Sequence, residues 1–247
     1  MDNIVFSGRA RYADNKDKSK RVCFCVPTIK RPFQVTLDSI EASLPLIEQA
    51  GWEHGIVYEV GNPYISQARS MMLRKALDWD ADVIVFIDHD LSWQPEDLLL
   101  LIETEPDVVG GTYRFKRDEV EYMGRCAVNS DDTPVVEQFG DNPLNRQLIR
   151  MEAMPAGFLK VTKKAVNRFM AAYPELCYGD RFQPLVDLFN HGAHEWQWWG
   201  EDYAFCRRYN AKCGQVYCLP NLELDHHLAN GEVFKGNFDQ FLRAQPR

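Results

Sequence analysis

Residues 83–87, VIVFI, are apolar without a break and stop at Asp88, His89 and Asp90. Successive side chains of a strand point to opposite faces of a sheet, so a run with no polar member suits a strand covered on both sides. RVCFCVPT, residues 21–28, repeats the pattern: Val22, Phe24 and Val26 interleave with Cys23 and Cys25, and Pro27 ends the run. Between these two runs lie FQVTLDSIEASLPLIEQAG, apolar at helical spacing and closed by Gly51, then the short strand GIVYEVG, then the helical YISQARSMMLRKALDWD. PEDLLLLIE follows as a third helix with Pro95, Glu96 and Asp97 in its first turn, where a proline and negative charge are favoured. This alternation predicts βαβ units, and therefore an α/β fold with a mainly parallel central sheet flanked by helices.

The second half is less regular. DVVGGTYRF reads as a fourth strand, residues 118–153 as a hairpin or loop excursion, and MPAGFLKVTKKAVNRFMAAYP as a short extended piece followed by a helix. CYGDRFQPLVDLFNHGAHEWQWWGED has no clean period and reads as a long surface loop or lid. YAFCRRYNAKCG is a helix ending at Gly214, and QVYCLPNLELDHH is extended. No linker divides the chain, so the expected organisation is a polar arm over 1–20, one domain over 21–229 and a tail over 230–247.

At 247 residues with 45% hydrophobic side chains the chain can bury a substantial core. Its formal net charge of -8 argues against a surface that neutralises the phosphates of long nucleic acid. Seven scattered cysteines, the lack of a signal-peptide pattern and the lack of a membrane-length apolar run point to a soluble, cytoplasmic protein.

In an open parallel sheet, ligands bind beyond the carboxyl ends of the strands. Asp88 and Asp90 stand at such an end, and two carboxylates one residue apart suit a divalent cation or ribose hydroxyls. The bland alternative is a turn-capping Asp88 beside a solvated Asp90. Glu201 and Asp202 open a helix, where carboxylates are stabilised with or without chemistry. Trp196, Trp198 and Trp199 suit sugar stacking and loop packing equally well.

Taken in order, VPT, SQARSMMLRKAL, FIDHDLSWQPEDL, GGTYRFK, AGFLKVTKKAV, WWGEDYAFCRR and LDHH resemble the segments of GT-A glycosyltransferases, especially the family 2-like enzymes that use nucleotide-diphosphate sugars. The resemblance spans residues 22–228 and implies a single GT-A-like, Rossmann-type domain. It implies a sugar donor carrying a nucleoside diphosphate, with a UDP-sugar favoured, and an acceptor hydroxyl whose nature the sequence does not specify. Pro27, Thr28, Arg69, Asp88, Thr112 and Gly157 would line the donor site. Asp90 would be the direct ligand of Mn²⁺ or Mg²⁺, with Asp88 near the metal or the ribose and a late histidine, His226 in preference to His227, completing the set. Asp202 would act as general base if the enzyme inverts, with Glu201 in reserve, and Trp198 and Trp199 would contact the acceptor.

Two departures stand out. His89 occupies the middle of the acidic motif, and LDHH lacks the glycine that often follows the histidine. Competing readings are a nucleotidyltransferase, disfavoured because VPTIKRPF has no glycine, and a non-catalytic module that binds a nucleotide sugar or glycan.

Overall fold

A computed structural model describes residues 19–140 and 147–244, together with the backbone of 4–6. The remainder of the proposed N-terminal arm and part of the 118–153 excursion fall outside these residues. The strands are β1 (Ile4–Phe6), β2 (Lys20–Thr28), β3 (Trp52–Val60), β4 (Val83–Ile87), β5 (Leu91–Ser92), β6 (Val108–Gly110), β7 (Arg125–Cys126), β8 (Val136–Glu137), β9 (Leu148–Ala153), β10 (Phe158–Thr162), β11 (Cys177–Gly179), β12 (Pro184–Val186), β13 (Gly192–His194), β14 (Gln197–Trp199), β15 (Val216–Cys218), β16 (Asp225–His227) and β17 (Val233–Phe234). The helices are α1 (Gln34–Gln49), α2 (Ile65–Asp78), α3 (Pro95–Glu103), α4 (Lys163–Ala172), α5 (Glu201–Lys212) and α6 (Phe238–Ala244).

The main sheet has the order β1-β3-β2-β4-β10-β6-β15-β9-β7, with β8 added to β9. At its centre β3, β2, β4, β6 and β15 run in one direction, and β10 is antiparallel to both of its neighbours, β4 and β6. The expectation of a mostly parallel sheet thus holds for the centre. The edges are antiparallel: β1 pairs with β3 on one side, and on the other β9 pairs with both β15 and β7.

The unbroken apolar strands are buried on both faces, as their composition requires. Val22, Phe24 and Val26 join Val85 and Ile87 in one cluster, under Ile40 and Ile47 of α1 and Leu98 and Leu101 of α3. Cys23 and Cys25 face the other way with Ile84 and Phe86, against Met72 and Leu73 of α2, Phe169 of α4 and Phe205 of α5. Each such side chain contributes about 1.5–3 kcal/mol on burial, so the two layers hold the central strands rigidly. Lys160, on β10, brings an ammonium group into this core. Its ammonium donates to the carbonyl oxygens of Ile102, at 3.4 Å, and Thr104, where α3 ends and its carbonyls lack helical partners.

Several loops of the sequence reading carry structure. The stretch read as a surface loop forms two small hairpins, β11–β12 and β13–β14, the second turning on Glu195 and Trp196 at φ 49° and 67°. The C-terminal stretch read as a tail contains β17 and α6, and Phe238 of α6 packs on Tyr122 with ring centroids 5.2 Å apart. DVVGGTYRF keeps strand geometry only to Gly110. A side chain at Gly110 would meet the Phe158 carbonyl, and one at Gly111 would meet Leu222 and Leu224, so the two glycines let the chain leave the sheet in close contact with its neighbours.

Candidate active site

From β2 the chain moves to β3 on one side and then, through α2, to β4 on the other. The crevice between β2 and β4 is therefore a topological switch point, and both strands present their carboxyl ends to it. A cleft of about 420 Å³ opens there, and Pro27, Thr28, Arg69, Asp88, Asp90, Tyr113, Glu201, Asp202 and His226 all line it. A larger hollow of about 870 Å³ lies between α1 and α6, but the charged constellation is not in it.

Arg69 is the hub. It comes from the buried face of α2, is only 3% exposed, and rests with its guanidinium 4.9 Å from the centroid of Phe189. One terminal nitrogen donates to Asp88 Oδ1 at 3.3 Å and the other to Glu201 Oε1 at 3.2 Å. Burial works against its charge, but Asp88, Glu201 and Asp202 outweigh burial and raise its pKa above the ordinary value. The second Asp88 oxygen accepts from the Tyr113 hydroxyl at 2.9 Å. Burial and then the Asp88 carboxylate push that hydroxyl well up, which keeps it a donor. Gly157 closes the arrangement: its carbonyl accepts from the Asp88 backbone N–H at 2.8 Å, and a Cβ there would collide with the Tyr113 hydroxyl and the Asp88 carboxylate.

Asp90 belongs to a second group. Immediately after it, β5 pairs with β16 so that Leu91 stands opposite His226, and the His227 N–H donates to the Asp90 carbonyl at 2.9 Å. This pairing carries His226 into the cleft beside Asp90. The His226 Nδ1–H donates to the Arg114 carbonyl at 2.8 Å, which turns Nε2 toward Asp90, 3.6 Å from Oδ1. An imidazole nitrogen and a carboxylate oxygen facing each other in this way call for a proton or a cation between them. Lys116 bonds the other oxygen, Oδ2. Burial would raise the Asp90 pKa, yet His226 and Lys116 prevail and hold it well below the usual carboxylate range. The other histidine, His227, is engaged with the Ser92 hydroxyl at 2.7 Å, and His89 packs edge-on against Phe33 with centroids 5.6 Å apart.

Glu201 and Asp202 start α5, and their roles differ. Glu201 is bound to Arg69, whereas Asp202 Oδ1 accepts from the Tyr203 N–H at 2.8 Å. Burial, reinforced by Glu201 and partly offset by Arg69, raises the Asp202 pKa to about 6. A carboxylate tuned in this way is a stronger base than an ordinary one and remains ionised at neutral pH. At the other end of the cleft the Thr28 hydroxyl is buried without a hydrogen-bond partner among the described residues, a position that a ligand hydroxyl or carbonyl can satisfy.

Three expectations need correction. Thr112 does not reach the cleft: it is 2% exposed and its hydroxyl donates to the Met123 carbonyl, while its neighbour Tyr113 faces the site. Trp198 and Trp199 do not line the cleft either. Trp198 is 73% exposed on the β13–β14 hairpin, and Trp199 lines a separate hollow with Tyr203 and Arg207. Asp88 is drawn toward Arg69 and Tyr113, and among the described residues no group of three His, Cys, Asp or Glu side chains is arranged to hold a metal ion. A three-ligand set of Asp88, Asp90 and His226 is therefore not preformed; the donor pair that faces one point is Asp90 and His226. On sequence grounds Tyr113, beside Thr112 at the same strand end, is already a candidate for the donor pocket, but not as the partner of Asp88; Lys116, in the same GGTYRFK segment, is not singled out.

No family model matches the chain, and no curated protein sequence matches it. Among solved structures, the crystal structure of A197 from STIV aligns over 88% of this chain and 94% of its own length, with a TM-score of 0.50 and 15% identity. At that identity the likeness shows a shared mixed α/β fold. The crystal structure of a glycosyltransferase involved in the glycosylation of the major capsid of PBCV-1 aligns over 59% of this chain and 62% of its own length, with a TM-score of 0.29 and 14% identity. No helix among the described residues is long and apolar enough to cross a membrane.

Proposed function

We propose that the protein is a glycosyltransferase of GT-A type that moves a sugar from a nucleotide-diphosphate sugar to an acceptor hydroxyl. The observation that carries this reading is the convergence of the Asp90–His226 pair and the tuned base Asp202 on one cleft at the β2–β4 switch point. In this account the nucleoside lies against Pro27 and the unpartnered Thr28 hydroxyl. Arg69 and Tyr113 fix Asp88, which accepts a ribose or sugar hydroxyl.

Asp90 and His226 would hold a divalent cation, Mn²⁺ in preference to Mg²⁺ because of the imidazole donor. When bound, such a cation neutralises charge on the diphosphate leaving group. The stereochemistry we propose is inversion. Asp202 takes the proton of the acceptor hydroxyl, the hydroxyl oxygen forms its bond to the anomeric carbon, and the bond to the diphosphate breaks with its electron pair leaving on phosphate oxygen. Arg69 holds Glu201 beside Asp202, and this neighbouring carboxylate helps to keep the base's pKa high. A UDP-sugar is our favoured donor, and the seven unbridged cysteines favour a cytoplasmic setting.

Binding tests the proposal first. In the presence of Mn²⁺, at least one nucleoside diphosphate from a panel of UDP, GDP, ADP and CDP is expected to raise the melting temperature by about 3 °C or more at saturating concentration. Stabilisation by nucleoside triphosphates alone would favour the nucleotidyltransferase reading, and no stabilisation by any nucleotide would exclude the proposed donor site.

A further inference from the structure

We infer that Lys116 is a built-in counter-ion of Asp90 that competes with a divalent cation for this carboxylate and is released to the donor's diphosphate when both arrive. The inference rests on the reading of Asp90 and His226 as metal ligands. The segment that leaves β6 serves the whole site: Tyr113 bonds Asp88, the Arg114 carbonyl orients His226, and the Lys116 ammonium bonds Asp90 Oδ2. Asp90 thus has His226 facing Oδ1 and an ammonium on Oδ2. A hard cation at this carboxylate needs an oxygen lone pair, and an ammonium held on the same group repels it.

Lys116 is placed to yield. Its side chain is 26% exposed, whereas that of Asp90 is 12% exposed, so the lysine reaches the carboxylate from its more exposed side on a flexible four-carbon stem. The backbone beside it is anchored, since the Phe115 N–H donates to the Glu121 carbonyl at 3.0 Å and the Phe115 ring lies against Arg117, 4.6 Å from the guanidinium carbon to the ring centroid. Movement is therefore left to side-chain rotation. The metal alone must displace the ammonium into solvent at a cost in affinity. A diphosphate entering with the metal gives the ammonium a new anionic partner, so metal and donor bind with positive coupling.

Titration of the protein with Mn²⁺ alone, followed by the electron paramagnetic resonance of free Mn²⁺ and by calorimetry, tests this directly. Lys116→Met is expected to bind Mn²⁺ at least about ten-fold more tightly than the wild type, a change of about 1.4 kcal/mol. Lys116→Arg, which restores the positive charge, is expected to bind as weakly as the wild type. Lys212→Met removes the same charge from the far end of α5, where Lys212 lies over Tyr173, and is expected to leave Mn²⁺ affinity unchanged. Unchanged near-ultraviolet circular dichroism establishes that the variants are folded, and Lys116→Gln replaces Lys116→Met if the latter is not. Equal Mn²⁺ affinity in the wild type and the neutral variant would overturn the role of Lys116 while leaving the metal site standing. So would equal tightening in Lys212→Met, which would mark a general charge effect. Absence of Mn²⁺ binding by either protein up to millimolar concentration would overturn both the competition and the metal ligands.

Discussion

Asp202→Asn is expected to lower the turnover number by roughly 10³-fold while leaving donor binding within a few-fold of the wild type. The substitution keeps the shape of the side chain and its acceptor for the Tyr203 N–H, but removes the group proposed to take the acceptor proton. Its effect on stability has the opposite sign. Burial raises the Asp202 pKa from 3.8 to about 6, so between these values the folded chain holds more protons than the unfolded one. Stability therefore falls as pH rises across that window, and the full cost of the buried charge is present above pH 6. Replacing the carboxylate by a neutral amide is expected to stabilise the protein by about 1–3 kcal/mol at pH 7.5, and by much less near pH 4. In the wild type, turnover is expected to rise with pH through a midpoint near 6. Full activity in Asp202→Asn would move the base to Glu201 or beyond, and equal stabilisation at both pH values would remove the electrostatic explanation.

Asp90→Ala is expected to abolish measurable transfer, a loss of at least about 100-fold, and to weaken rather than unfold the protein. The Asp90 carboxylate is the shared partner of His226 and Lys116, and its removal leaves a buried imidazole and an ammonium facing each other. Because these partners depress its pKa, Asp90 contributes stability that is present above its unfolded value of 3.8 and is lost as pH falls through the lowered folded value. At neutral pH the variant is expected to lose about 2–3 kcal/mol while melting in one cooperative transition. Destabilisation that persists unchanged at pH 2 would contradict this origin. Retention of metal-dependent transfer would remove Asp90 from the proposed mechanism.

The α/β alternation was legible because VIVFI and RVCFCV carry their burial in their composition, with no polar face to argue otherwise. The cleft was legible in part. Arg69, Asp88, Asp90, Glu201, Asp202 and His226 line one space; the four carboxylates were marked by local chemistry at a strand end and a helix start, whereas Arg69, inside α2, and His226, inside β16, were marked only by the resemblance. Partnerships that depend on distant pairing were not legible. The register of β5 against β16 sets His226 beside Asp90, and no periodicity within either segment reports it; only the resemblance paired the two. Thr112 and Tyr113 illustrate the limit most simply: once the glycines release the chain from β6, strand alternation no longer tells which neighbour faces the site, and here the tyrosine does. The tryptophans lie outside the cleft for a related reason, since the β13–β14 hairpin directs Trp198 outward before the chain turns into α5.

The central claim, that this cleft breaks a sugar–diphosphate bond, is tested most directly by the release of nucleoside diphosphate from a panel of nucleotide sugars incubated with the full chain and Mn²⁺. The account predicts slow release from at least one donor, lost on chelation and absent in Asp90→Ala. Release from no donor in the panel, with or without Mn²⁺, would contradict it.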